Sequence, residues 1–114
     1  MIAVIFEVEP REGHAGAYFD LAGELKPLVE GFDGFISVER FEAVLTPGRF
    51  LSLSFWRDEE SIQRWRKVAE HRLAQTAGRT EHFSDYRIRI AHVIRDYGMN
   101  ARDEAPEDLR LVHG

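Results

Sequence analysis

Phe35-Ile36-Ser37-Val38-Glu39-Arg40-Phe41, then Thr46-Pro47-Gly48-Arg49, then Phe50-Leu51-Ser52-Leu53-Ser54-Phe55-Trp56 is the stretch whose reading decides the fold. The outer two runs alternate with period two, as strands do when successive side chains point to opposite faces. Pro47 and Gly48 stand where a type II turn needs first a fixed φ and then a positive one. The middle of the chain is therefore an antiparallel hairpin. Working outward from it, a strand and a helix precede the hairpin, and a helix and a strand follow.

On the N-terminal side, Tyr18, Leu21, Ala22, Leu25, Leu28 and Val29 recur at helical spacing. Pro27 cannot donate to the carbonyl of Gly23, so a kink or a loosened last turn is expected, and Gly31 and Asp33-Gly34 end the helix. Before it, Ile2, Val4, Phe6 and Val8 alternate with Ala3, Ile5, Glu7 and Glu9 in a strand that Pro10 stops. On the C-terminal side, Asp58, Glu59 and Glu60 suit the positive end of a second helix, and Ile62, Trp65, Ala69 and Leu73 give that helix an apolar stripe. Phe83 to Tyr97 contains no breaker and predicts a last strand about twice the usual ~5–6 residues. The first strand is too short to pair all of it, so the surplus is expected to meet a second copy of the chain.

The order strand-helix-strand-strand-helix-strand defines an α+β protein of ferredoxin-like βαββαβ plan, with a four-stranded antiparallel sheet and both helices on one face. The domain is expected over residues 1–98. Residues 99–114 read as a polar tail, disordered or laid on a partner.

Composition narrows the function. A chain of 114 residues has room for one domain. Fifteen Lys and Arg against 20 Asp and Glu give a net charge of −5, which lacks the basic footprint of a nucleic-acid binder. Without Cys there is no disulfide framework, thiolate nucleophile, iron–sulfur cluster or Cys zinc site. His14, His82 and His113 show no metal-ligand spacing. Apolar runs are too short to span a membrane as a helix. Met1 leads straight into strand pattern without a basic n-region, which predicts a cytoplasmic protein.

The two sheet faces suggest a partner. Ile2, Val4, Phe6, Val8, Ile36, Val38, Leu51, Leu53, Phe55, Ile88 and Ile90 are expected beneath the helices. The opposite face would then collect Ile5, Glu7, Phe35, Ser37, Glu39, Phe41, Phe50, Ser52, Ser54, Trp56, Arg87 and Arg89. That mixture is too aromatic to face water and too charged for a monomer core. A homodimer joined through these sheet faces and the long last strand would cover it, with Glu7 and Arg89 the expected ion pair.

The run from Gly34 to Phe41, the strand end Ser54-Phe55-Trp56, the helical Trp65 and Glu70-His71-Arg72, and Phe83-Ser84-Asp85-Tyr86-Arg87 resemble the antibiotic biosynthesis monooxygenase domain. The likeness covers about residues 1–98. It implies a dimeric α+β barrel and oxidation of a small aromatic or quinol-like molecule without metal, flavin or other cofactor. A non-catalytic small-ligand-binding or stress-related dimer using the same pocket is the alternative. The haem-degrading branch is less similar: Trp65 matches its Trp, but Gln75 stands at its His position and Phe6 or Glu7 near its Asn position.

Cofactor-free oxygenation needs an apolar pocket, a base and exclusion of water. His71 is the expected base, because imidazole titrates near neutrality. Trp65, Phe6 and Phe55 are expected to line the pocket, Tyr86 to donate a hydrogen bond to a bound phenolate, and Arg72 to steady an anion. His92, on the apolar alternation of the last strand, is a further substrate contact or a hydrogen-bonded core residue. No metal ligand is assigned.

Overall fold

The computed structural model describes residues 1–75 and 83–108, with the helix backbone alone for residues 71–75. Its elements are β1 (Ile2–Pro10), α1 (Ala15–Glu30), β2 (Phe35–Glu42), β3 (Phe50–Trp56), α2 (Glu59–Gln75) and β4 (Phe83–His92). The strands form one four-stranded antiparallel sheet in the order β2-β3-β1-β4. This is the ferredoxin-like plan that the hairpin and its flanks predict.

The turn chemistry is as expected. Gly48 has φ +90°, and the Arg49 amide donates to the Thr46 carbonyl at 3.2 Å. The Glu42 carboxylate accepts the Gly48 amide at 3.0 Å and fixes the loop to the strand. α1 runs through Pro27 to Glu30. Its end departs from α-helical spacing, because the Gly31 and Phe32 amides both donate to the Val29 carbonyl.

α2 begins with a strong cap. The Asp58 carboxylate accepts the Ser61 amide at 2.8 Å and the Ser61 hydroxyl at 2.7 Å. Arg57 joins Asp58 at 3.0 Å and Asp33 at 3.0 and 3.1 Å, tying the start of β2 to the end of β3 and the start of α2. Both carboxyls are held below the usual range. For Asp58 the Ser61 hydroxyl is the leading cause, followed by the Ser61 amide and Arg57; for Asp33 it is the hydrogen bond from Arg57.

The register corrects the expected faces. β1 opposes β3 as Ile2–Trp56, Val4–Ser54 and Phe6–Ser52. Residues directly opposite across a ladder share a face. Ser52, Ser54 and Trp56 therefore lie on the helix side with Ile2, Val4 and Phe6. Leu51, Leu53 and Phe55 lie on the far side with Ala3, Ile5 and Glu7. A register shift between Phe35 and Ser37 also turns Phe35 to the helix side, in line with Val38 and Arg40. Ile36 falls within the bulge and is half exposed.

β4 is shorter than expected. It ends at His92, which pairs with Ile2, so the ladder stops where β1 stops. Val93 adds a single bond, from its amide to the Met1 carbonyl at 3.0 Å, and Ile94 is exposed. No surplus of paired strand is left over, and the argument for a partner from strand length falls. The described part of the tail is not a loose arm. The Asp96 amide meets Glu104 at 3.0 Å, Arg102 bonds the Gly98 carbonyl at 3.1 Å and lies over the Tyr97 ring, and Ala105 is buried.

Candidate functional site

Between the helices and the sheet lies a cavity of about 470 Å3, within the ~300–1,000 Å3 usual for small-molecule sites. α1 supplies Tyr18, Leu21, Ala22, Leu25 and Val29, which are the stripe its helical spacing creates. α2 supplies Ile62, Trp65 and Ala69 from its apolar stripe, with Arg66 and Glu70 beside them. The floor is Val4 and Phe6 of β1, Val38 of β2, Ser52 and Ser54 of β3, and Tyr86, Ile88 and Ile90 of β4.

Aromatic rings stand at both ends. At one end Trp65 lies 5.4 Å from Phe32 and 6.2 Å from Trp56, and Phe35 stands edge-on to Trp56 at 5.4 Å. The Trp56 indole N–H donates to the Ser54 hydroxyl at 2.9 Å, so this buried ring has its polar atom satisfied. At the other end Tyr18 stacks on Phe50 at 5.9 Å and meets Phe83 at 6.0 Å, and Phe6 contacts Tyr86 at 5.9 Å. The Tyr18 hydroxyl is buried without a hydrogen-bond partner.

The structure brings three of the expected pocket residues together. Phe6, Trp65 and Tyr86 border the cavity from three different elements. It places two elsewhere. Phe55 opposes Ala3 on the far face of the sheet, because the serines of β3 and not its leucines face the helices. His92 sits exposed at the last rung of β4, opposite Ile2, and does not border the cavity. His71 and Arg72 are on the backbone of α2, next in sequence to Glu70, and their side chains lie outside the described residues. The expected ion pair is present within one chain: Arg89 meets Glu7 at 3.2 Å on the far face, and Arg49 meets the same carboxylate at 2.8 Å.

Sequence reasoning missed Arg40, Ser52, Ser54, Arg66 and Glu70 as cavity residues. For β2 and β3 the lost signal was the phase of the strands, which only the neighbouring strand fixes. Arg66 and Glu70 were discoverable, since they follow Ile62 at the i+4 and i+8 positions of one helix face. Among the described residues no three His, Asp or Glu side chains gather as a metal site would require. No described helix is long and apolar enough to cross a membrane.

The fold agrees with the relatives of the chain. The family model for antibiotic biosynthesis monooxygenase matches residues 1–77, and the chain belongs to that family. It is 44% identical over 100 residues to the jasmonate monooxygenase ABM of Pyricularia oryzae, covering 88% of this chain and 46% of that protein. The chain thus spans about half the length of that relative. It is 32% identical to the uncharacterized protein YqjZ of Bacillus subtilis, over 82% of this chain and 79% of that one. Among solved structures, Rv0793 of Mycobacterium tuberculosis has the same fold, with a TM-score of 0.73 at 17% identity, covering 85% of this chain and 98% of that one.

Proposed function

We propose that this protein is a monooxygenase that binds a small aromatic or quinol-like molecule in the cavity between helices and sheet and oxidises it with molecular oxygen. The observation that carries the reading is the cavity itself: about 470 Å3, lined mainly by apolar side chains with aromatic rings at both ends, in a chain of the monooxygenase family. The similarity to a jasmonate monooxygenase supports oxygenation of a small molecule.

The chemistry asks little of the protein. Loss of the phenolic proton makes the ring electron-rich enough to pass an electron to oxygen. Recombination forms a carbon–oxygen bond, and loss of water leaves a quinone. One oxygen atom stays in the product, the other leaves as water, and no outside reductant is consumed. Phe6, Tyr86 and Trp65 would hold the ring plane and keep water away. His71 is the base this reading assigns, and Arg72 the residue it assigns to steady the anion. Phe6 stands on the cavity floor near the place of the Asn that the haem-degrading branch uses, and Glu7 is on the opposite face, so the haem reading loses that contact.

The test is an oxygen electrode with 1-naphthol as probe. One oxygen should be consumed per naphthol converted to 1,4-naphthoquinone, and His71→Ala should lower turnover by roughly 100-fold or more. Tight binding of 1-naphthol with no oxygen uptake would replace this reading with that of a ligand-binding dimer.

A further inference from the structure

Polar side chains stand among the apolar ones that border the cavity, and of these Ser52 is half-buried and Arg40 exposed at its rim. Arg40 and Ser52 are directly paired across β2 and β3, and both border the cavity. Such partners have Cβ atoms ~4.5–5.5 Å apart, within reach of the long Arg40 side chain, so its guanidinium can swing to the Ser52 hydroxyl. Among the described residues neither side chain has a hydrogen-bond or ion-pair partner. Ser54, the next residue on that face, differs: its hydroxyl accepts the Trp56 indole N–H. Around them are Val4, Val38 and Phe6.

Charge points the same way. The whole chain carries a net charge of −5, yet the charged residues bordering the cavity are Lys26, Arg40 and Arg66 against Glu70 alone. Arg66 stands 4.0 Å from Glu70 and Lys26 3.9 Å from Glu30, both exposed pairs, so among the described residues Arg40 is the cavity cation with no carboxylate beside it. A guanidinium next to a hydroxyl on an apolar floor matches a carboxylate: two donors in a fork and a third from the side.

We propose that Arg40 and Ser52 form an anion anchor, so that the cavity selects small apolar acids, with the carboxylate on this pair and the apolar body reaching toward Trp56 and Trp65. This deepens the reading of the cavity as the substrate site and rests on it.

The test uses 2-naphthoate and 2-naphthamide, which share one ring system and differ in charge, with binding followed by quenching of Trp56 and Trp65 fluorescence. The acid should bind about tenfold or more tightly than the amide, as a charge-assisted hydrogen bond predicts. Arg40→Gln should abolish that preference while amide binding stays within about twofold, which also reports that the variant is folded. Ser52→Ala should weaken the acid by roughly threefold and the amide less. Equal binding of acid and amide to the native chain, or an acid preference that survives Arg40→Gln, would overturn the anchor and leave the cavity reading standing. Binding of neither compound would overturn both.

Discussion

At the scale of single residues, Gly34 is the position with least freedom. Its φ is +91°, a region that side-chain-bearing residues rarely adopt, and a Cβ there would fall onto the side chain of Ser61. Ser61 cannot move aside, because it is fully buried and held by Asp58 through both its amide and its hydroxyl. Gly34→Ala is therefore expected to destabilise the protein by ~2 kcal/mol or more in urea unfolding, from backbone strain and steric conflict together. Gly23 is the control. It lies within α1 and has nothing within 4 Å of its added Cβ, so Gly23→Ala should stabilise by ~0.5–1 kcal/mol through helix propensity. Equal effects at the two glycines would contradict this account. Asp33-Gly34 is legible in the sequence as the end of an element; the burial of Ser61 against it is not, because Ser61 is 27 residues further along.

At the scale of elements, what could be read in advance was whatever local chemistry decides. The acidic run Asp58-Glu59-Glu60 announces the start of α2, and Pro47-Gly48 announces the hairpin, since capping and turn geometry need only neighbouring residues. The face of β3 was not legible. Leucines at 51 and 53 look like the buried set and serines at 52 and 54 like the wet set. Pairing to β1 reverses this, and Ser52 and Ser54 become the floor of the cavity. The reversal falls where a binding site needs polar groups, which is where local patterning gives way to function. The end of β4 was hidden for a similar reason: nothing between His92 and Tyr97 breaks a strand, but β1 offers no further partner.

The cap of α2 also makes a pH prediction. The Asp58 carboxyl has its pKa lowered in the folded chain, by the Ser61 hydroxyl first, then the Ser61 amide and Arg57. A depressed carboxyl stabilises the fold fully above its unfolded value and loses that contribution as pH falls through the folded one. The window therefore opens below about pH 4, the ordinary value for Asp. Asp58→Asn keeps a side-chain acceptor for the helix but removes the charge. Its melting temperature should lie below that of the native chain at pH 7, and the gap should narrow as the pH is taken from about 4 toward 2. A gap independent of pH would mean that the carboxylate acts by shape alone.

At the scale of the whole molecule, the far side of the sheet presents apolar surface that no element of the described chain covers. Ile5, Leu51, Leu53 and Phe55 are there, only partly shielded, and Phe41 at the edge is 44% exposed. A single chain gains nothing from presenting so much apolar surface to water. The charges among these residues do not oppose a partner. Glu7 already holds Arg49 and Arg89 within its own chain, while Glu39, opposite Leu53, and Arg87, opposite Glu7, would have to pair with each other's copies across a second sheet. Two copies placed face to face give a closed, self-complementary contact, whereas a loose fit to unrelated surfaces would not close. The cavity opens on the opposite side of the same sheet, so each copy keeps its own site. Sedimentation at micromolar concentration should accordingly give twice the 13.2 kDa of one chain. Leu53→Asp would place an unpaired charge at the centre of the contact, and it should sediment as a single chain while still quenching its tryptophans with 2-naphthoate. A native chain that sediments as a monomer at that concentration would leave the far face unexplained and remove the dimer from this account.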